Sequence, residues 1–208
     1  MKITNWKEAE LKAGDLLFQQ TNNHLSQAIR QVTNFGTGQF DHIGVLLNAL
    51  SSKSYVIEAT PDSGVDFLWL PEFLQKSHIS EYNYRTVVAR VKPEYQNIIP
   101  KVIEFLISKL FEPYNPYFDF EKNGYYCSQL VYEAFKYAND GVPFFETRPM
   151  TFVDPKTKKI NSFWKSYFNK LGVEVPEGKE GINPNLIFSS DKIEFIYVFG
   201  EMQISVSA

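Results

Sequence analysis

Cys127 is the single cysteine of this 208-residue chain, and it begins an amphipathic run that predicts a helix from Cys127 to about Ala138. A thiol in the first turn of a helix lies at the positive end of the helix dipole, beside unpaired backbone N–H groups, and both favour the thiolate. The position therefore suits a nucleophile. The alternative is a small buried hydrophobe, which is a common role for a single cysteine. The helical stripe that would turn the sulfur toward a packed sheet consists of Cys127, Leu130, Val131, Ala134 and Ala138.

A histidine and a glutamate lie on a predicted β-hairpin that could supply a base. Residues 41–47 and 55–60 are rich in β-forming side chains, and residues 48–54 between them favour a turn. If the hairpin is symmetric about Leu50, His42 lies directly across from Glu58, with Cβ atoms about 4.5–5.5 Å apart. Strand alternation then puts both side chains on one face. The alternative is a structural His–Glu contact that only satisfies two polar groups.

These three residue types are the set that thiol catalysis requires. A nucleophile needs a base, and the base needs a third group that holds its ring in the useful tautomer. Cys127, His42 and Glu58 meet this requirement if folding brings the helix and the hairpin together, whatever their order along the chain. The sequence has no Gly-x-Ser-x-Gly elbow, the usual signature of a serine hydrolase.

The rest of the pattern predicts the elements that must position these residues. Helical spacing is found at residues 25–32, 98–110 and 162–171, whereas residues 84–91 and 192–199 are typical of strands. A glycine-bearing loop at residues 34–39 leads into the histidine strand. The chain is expected to form one domain over residues 1–208, with an insertion or cap at about residues 144–183 that could shape specificity.

An aromatic, proline-rich stretch at residues 112–120 precedes the cysteine. We expect its rings, chiefly Tyr114 and Tyr117, and the nearby Tyr125 to contribute to the wall of a substrate cleft, because ligand pockets are largely apolar. Ordinary packing of aromatic side chains in the core is the alternative.

Composition limits the classes of partner. A formal charge of −3 and a pI near 5.7 give no electrostatic case for a nucleic-acid partner. His24 and His78 have no companions at metal-ligand spacing and there is no second cysteine, so we expect neither a metal nor another cofactor. No apolar run approaches the roughly 20 residues of a transmembrane segment, and residues 1–10 lack the apolar core of a secretory signal. The cytoplasm is therefore the default location, with the cell envelope as the alternative, and the oligomeric state is left open.

Four stretches of the sequence form a recognisable set: Ala13-Gly14-Asp15-Leu16-Leu17-Phe18, Asp41-His42-Ile43-Gly44-Val45, Val56-Ile57-Glu58-Ala59 and Tyr125-Tyr126-Cys127-Ser128-Gln129-Leu130-Val131. They resemble the papain-like hydrolases of the NlpC type in their circularly permuted form, particularly the YiiX-like branch. In unpermuted relatives the cysteine helix precedes the Gly-Asp and histidine strands, whereas here it follows them. Residues 182–190 resemble the family more weakly.

The resemblance implies an α+β, papain-like fold, with an antiparallel sheet or small barrel packed against the helix that carries the nucleophile. It implies that Cys127 is the nucleophile, His42 the general base and then acid, and Glu58 the residue that orients the imidazole. The backbone N–H of Cys127 would form part of the oxyanion hole. Whether Tyr126, Tyr125 or Asp15 completes the site stays open, and a turn or capping role is favoured for Asp15.

The implied reaction is hydrolysis of an amide bond through an acyl-enzyme. The substrate would be a cell-wall peptide or another small acyl-amide compound, with a lipid as a further candidate. The alternative function is that of an acyltransferase, or of a lipid- or peptide-binding module on the same scaffold, since a fold does not establish a function.

Overall fold

A computed structural model describes residues 2–3, 10–33, 40–48, 53–80 and 83–200. The predicted glycine-bearing loop at residues 34–39 and the centre of the hairpin turn lie outside the described residues. The elements in chain order are β1 (Lys2–Ile3), β2 (Leu16–Gln19), α1 (His24–Val32), β3 (His42–Leu46), β4 (Tyr55–Thr60), β5 (Gly64–Trp69), α2 (Leu70–Gln75), β6 (His78–Ser80), β7 (Asn83–Tyr84), β8 (Thr86–Val91), a 3₁₀ helix (Pro93–Ile98), α3 (Ile99–Ser108), α4 (Cys127–Ala138), β9 (Arg148–Pro149), α5 (Ser162–Lys170), β10 (Glu180–Gly181), α6 (Pro184–Phe188) and β11 (Ile193–Phe199).

Within the described residues, the main sheet has seven strands in the order β1-β11-β8-β2-β3-β4-β5. Its neighbouring strands are antiparallel except for the parallel pair β1 and β11. The fold is therefore α+β with a mostly antiparallel sheet, as predicted. Among the described helices, none combines the length and the apolar character needed to cross a bilayer.

Strand alternation divides the core between the two faces of the sheet. Ile43 and Ile57 belong to the larger apolar cluster, which includes the buried stripe of α4. Leu46 and Val56 belong to the smaller cluster on the other face, where Phe73 of α2 packs. The predicted division of the hairpin into two faces is confirmed, because the alternation of side chains is set by the pleat of the strand.

The predicted register of the β3–β4 hairpin is wrong by two residues. Val45 pairs with Ile57 and Leu46 with Val56, so paired numbers sum to 102 instead of 100. His42 is therefore a diagonal neighbour of Glu58 instead of lying directly across from it. A shift of two residues keeps every side chain on its original face, whereas a shift of one would have separated the pair.

The helix predicted at the cysteine begins and ends where expected, at Cys127 and Ala138. The helix predicted at residues 98–110 is shorter, since its start is a 3₁₀ turn and α3 ends at Ser108. Residues 144–183 contain β9, α5 and β10. Trp164 and Phe168 of α5 are buried and join the larger apolar cluster, with the Trp164 ring 5.7 Å from that of Phe118.

Candidate active site

Cys127 lies in the wall of a cleft of about 850 Å³. It is the first residue of α4, and Tyr126 is the N-cap with extended backbone. The side chain is nearly buried, with 9% of the residue exposed. His42, which begins β3, lines the same cleft. The sulfur thus lies at a helix N-terminus beside an open volume, where a developing negative charge is stabilised.

The ring of His42 lies between the cysteine and the glutamate. Its Nε2 atom is 2.5 Å from Oε2 of Glu58. A side-chain hydrogen bond with Cys127 also acts on the ring, and Nδ1 is the nitrogen left for it. The second carboxylate oxygen of Glu58 forms an ion pair with Lys76, which follows α2. The structure therefore brings the three predicted residues together and adds a lysine behind the carboxylate.

The electrostatics of this group favour charged side chains despite their burial. Burial alone would lower the pKa of His42, but its hydrogen bonds with Cys127 and Glu58 and their negative charges raise it to about 10. Burial alone would raise the pKa of Glu58, but His42 and Lys76 together lower it. The imidazole is thus cationic at neutral pH.

The start of α4 is held by buried amide side chains. Gln129, in the first turn, accepts a hydrogen bond from the backbone N–H of Tyr126 at 3.3 Å and another from Nδ2 of Asn115 at 3.0 Å. Asn115 is fully buried, and its backbone N–H donates to the carbonyl of Tyr125. This network fixes the two residues that precede Cys127, and with them the direction in which the sulfur points.

The backbone of Ile182 is bonded to both neighbours of the cysteine. Its N–H donates to the hydroxyl of Tyr126 at 3.4 Å, and its carbonyl accepts from Oγ of Ser128 at 3.0 Å. Residues 182–190, which resemble the family only weakly, therefore include a residue that supports the start of the nucleophile helix directly.

The histidine strand is anchored by the same late segment. Oδ1 of the fully buried Asn185 accepts from the N–H of Phe40 at 2.8 Å. Nδ2 of Asn185 donates to the carbonyl of Phe40 at 3.1 Å and to that of Thr33 at 2.9 Å. Next to His42, the buried Asp41 pairs with Arg30. The start of β3 is thus held from both sides.

The remaining predicted residues fall into two groups. Tyr114 and Tyr126 line the cleft, whereas Tyr117 and Tyr125 are not among its lining residues. Burial raises the pKa of both cleft tyrosines, so their hydroxyls stay protonated. Asp15 precedes β2, at the end of the strand away from His42, and its carboxylate accepts from Arg90 at 2.6 Å and 2.8 Å. Asp15 therefore forms an ion pair outside the cleft lining, and the N–H of Lys12 donates to the same carboxylate at 2.8 Å.

Sequence reasoning missed the residues that support the site from outside the motifs. No catalytic motif includes Lys76, Asn115 or Asn185, and each of them is distant in sequence from the residue that it supports. Two sequence features pointed to them: Asn115 lies in an aromatic stretch, and Asn185 lies in the segment that resembles the family weakly. A buried polar side chain needs a partner, and such an asparagine therefore indicates a structural hydrogen bond.

Comparison with known proteins agrees with this architecture. The sequence profile of the family described as "permuted papain-like amidase enzyme, YaeF/YiiX, C92 family" matches residues 10–197. An Escherichia coli K12 protein named "uncharacterized protein YiiX" is 22% identical over 182 residues, which cover 88% of this chain and 84% of that protein. A crystal structure of metalloprotein YiiX from E. coli O157:H7 shares the fold, with a TM-score of 0.72 and 20% identity, over 90% of this chain and 97% of that one. The chain belongs to the permuted papain-like amidases of the YaeF/YiiX family, family C92.

Proposed function

We propose that this protein is a cysteine hydrolase that cleaves an amide bond through an acyl-enzyme, with Cys127 as nucleophile, His42 as acid and base, and Glu58 orienting the ring. One observation carries the proposal: a single imidazole interacts with both the sulfur and a buried carboxylate beside an open cleft. Membership of an amidase family supports the same class of reaction.

In the proposed reaction the Cys127 thiolate attacks the amide carbonyl carbon, and the carbonyl π electrons move onto the oxygen. The backbone N–H at the start of α4 stabilises this oxyanion. The imidazolium of His42 donates its proton to the amide nitrogen, the C–N bond breaks, and the amine leaves. His42 then takes a proton from water, which attacks the thioester and releases the carboxylic acid and the thiolate.

Glu58 acts through the ring instead of through the substrate. By accepting from Nε2 it leaves Nδ1 for the sulfur, and its charge stabilises the imidazolium. Lys76 keeps the buried carboxylate ionised by sharing it. A buried carboxylate without such partners would be costly and would tend to take up a proton.

Metal chemistry is not part of the proposal. The E. coli structural relative is named a metalloprotein. In the part of this chain that the structure describes, no group of three or more His, Cys, Asp or Glu side chains could hold a metal ion. The donor set around Cys127 therefore does not fit a resident metal, and no step is assigned to one.

Residues 144–183 act as a cap on the proposed cleft within a single domain. The lining of the cleft supports this proposal, because it includes residues that precede α5, one residue of α5 and residues that follow α5. Those residues are Arg148, Pro149, Met150, Thr151, Phe152, Trp164, Ile182 and Asn183.

The decisive experiment uses aminocoumarin amides of a panel of acyl groups, with mass measurement of the trapped acyl adduct. Because the chain has one cysteine, any thioester adduct is assigned without ambiguity. We expect Cys127→Ala to abolish both turnover and adduct, and His42→Gln to lower kcat/KM by about 10²–10⁴-fold. The matched control is His78→Gln, which changes a histidine outside the cleft and should leave turnover intact. Hydrolysis that survives in Cys127→Ala would overturn the proposal.

A further inference from the structure

Gln19 is a fully buried polar residue in the main sheet, and it lies beside the candidate active site. It is the last residue of β2, where it pairs with His42 of β3 on one side and with Thr86 of β8 on the other. Side chains of directly paired residues project from the same face of a sheet, with Cβ atoms about 4.5–5.5 Å apart. The three side chains therefore form a row, with that of Gln19 in the middle.

The nitrogen end of the Gln19 amide is fully used. Nε2 donates to the carbonyl of Phe73 at 2.8 Å and to Oγ1 of Thr86 at 3.0 Å, and it also lies 3.3 Å from Oγ of Ser77. Ser77 and Thr86 are themselves fully buried, and their hydroxyls are hydrogen-bonded to each other at 2.7 Å. Because a backbone carbonyl only accepts, the end of the amide that faces Phe73 must be the nitrogen. The orientation of the amide is thus fixed by its partners.

The oxygen end of the same amide is unpaired. Oε1 of Gln19 is buried, and no group of the described residues donates a hydrogen bond to it. A buried carbonyl oxygen without a donor destabilises a fold, so such a group calls for a physical reason. Since the nitrogen is held toward Phe73 and Thr86, the paired neighbour left for the oxygen is His42. The ring of His42 packs on this face of the sheet, 5.9 Å from the ring of Phe73.

We propose that Gln19 is a positioning residue of the candidate active site, and that its amide oxygen turns the negative end of its dipole toward the imidazolium of His42 and stabilises the cationic ring. This inference rests on the proposed function, in which that imidazolium protonates the leaving amine. Both ring nitrogens are already engaged, with Glu58 and Cys127, so the attraction acts through the charge of the ring. In a buried site such an attraction is screened little, and it offsets the missing hydrogen bond.

A replacement of Gln19 leaves the other charged groups around the ring unchanged in kind. These groups are Glu58 of β4, Lys76 after α2, Cys127 of α4 and, next to His42 in the chain, Asp41 with its partner Arg30 of α1. Lys76 is linked to the amide, because its N–H donates at 3.2 Å to the Phe73 carbonyl that Gln19 also binds. A displaced Lys76 would raise the pKa of His42, whereas loss of the Gln19 oxygen would lower it. The sign of the change therefore separates the two routes.

The test is a nuclear magnetic resonance titration of the ¹³C-labelled His42 ring in the wild type and in Gln19→Met, which keeps an unbranched side chain of similar length without the amide. We expect the pKa of His42 to fall by about half a unit to one unit, which is about a threefold to tenfold change in the protonation constant. Thr86→Val is the matched control, because it removes a hydroxyl from the same buried network and leaves the Gln19 oxygen in place. An unchanged or raised pKa in Gln19→Met, or an equal fall in Thr86→Val, overturns the inference.

A second measurement needs no variant and so does not depend on whether Gln19→Met folds. In the wild type, the side-chain carbonyl ¹³C signal of Gln19 should move with pH at the same midpoint as the ring of His42. A carbonyl signal that ignores the titration of the ring overturns the inference.

Neither measurement uses turnover, so the outcomes separate this inference from the proposed function. Amide hydrolysis that depends on Cys127, with an unchanged His42 titration in Gln19→Met, leaves the hydrolase and refutes the role of Gln19. The expected titrations in a protein that hydrolyses no amide support the contact between Gln19 and the ring and refute the hydrolase.

Discussion

The substitution Glu58→Gln tests the charge arrangement on which the proposed mechanism depends. Glutamine keeps the shape of the side chain and an oxygen that can accept from Nε2 of His42, but it removes the negative charge. Glu58 is 3% exposed and lies 2.5 Å from the ring, so solvent screens their interaction little. The variant therefore isolates the electrostatic contribution of the carboxylate to the imidazolium.

The expected magnitude follows from the pKa of His42. Its rise from 6.5 to about 10 corresponds to a preference for the cationic ring of roughly 5 kcal/mol. Cys127 and Glu58 share this effect and also offset the cost of burial. If the glutamate supplies a little under half of it, Glu58→Gln should lower the pKa of His42 by about one to two units, or roughly 2 kcal/mol.

The assay is a nuclear magnetic resonance titration of ¹³C-labelled histidine rings, with the signal of His42 assigned from its loss in His42→Gln. In the wild type the ring should stay cationic through neutral pH and titrate near 10. The control Glu104→Gln removes an exposed carboxylate on α3 and should leave that titration unchanged. A wild-type ring that titrates near 6.5, or an unchanged titration in Glu58→Gln, would refute the reasoning.

The shifted pKa values of His42 and Glu58 also predict how the stability of the fold depends on pH. The folded-state pKa of His42 is raised, so its contribution is complete below about pH 6.5 and is lost as the pH rises through about 10. The folded-state pKa of Glu58 is lowered, so its contribution is complete above about pH 4.5 and is lost as the pH falls further. The difference in unfolding free energy between wild type and Glu58→Gln should therefore be largest between about pH 4.5 and 6.5. Urea unfolding at several pH values measures it.

Two further substitutions test residues that support the site. Lys76→Met removes a cation and should raise both apparent pKa values of the pH profile of kcat/KM by about half a unit, and Lys76→Arg should restore them. Unchanged values in Lys76→Met would show that the lysine is only structural. Asn185→Ala removes the hydrogen-bond partners of the buried backbone groups of Phe40 and should lower the free energy of unfolding in urea by about 2–3 kcal/mol. A loss no larger than that of the exposed control Asn169→Ala would contradict this role.

The local patterns of the sequence were sufficient for the elements that carry the candidate site. Helix α4 runs from Cys127 to Ala138 as its apolar stripe predicts, and the two faces of the β3–β4 hairpin follow the alternation of its residues. Both patterns come from the backbone, because a helix repeats every 3.6 residues and a strand every two. His42 and Glu58 share a face for the same reason.

Register and long-range supports required the tertiary structure. The hairpin register differs by two residues from the symmetric expectation, because turn geometry and packing, not alternation, select among registers of the same parity. Likewise, Tyr114 lines the cleft while Tyr117, three residues later in the same aromatic stretch, does not. Aromatic content alone could not separate them.

The sequence by itself determined which residues could react and which faces of their elements they occupy, since both depend on side-chain type and local periodicity. Only the tertiary structure decided that Lys76 meets Glu58 and that Asn185 holds the strand of His42. Such contacts join segments far apart in the chain. They depend on how whole elements pack, which no local period specifies.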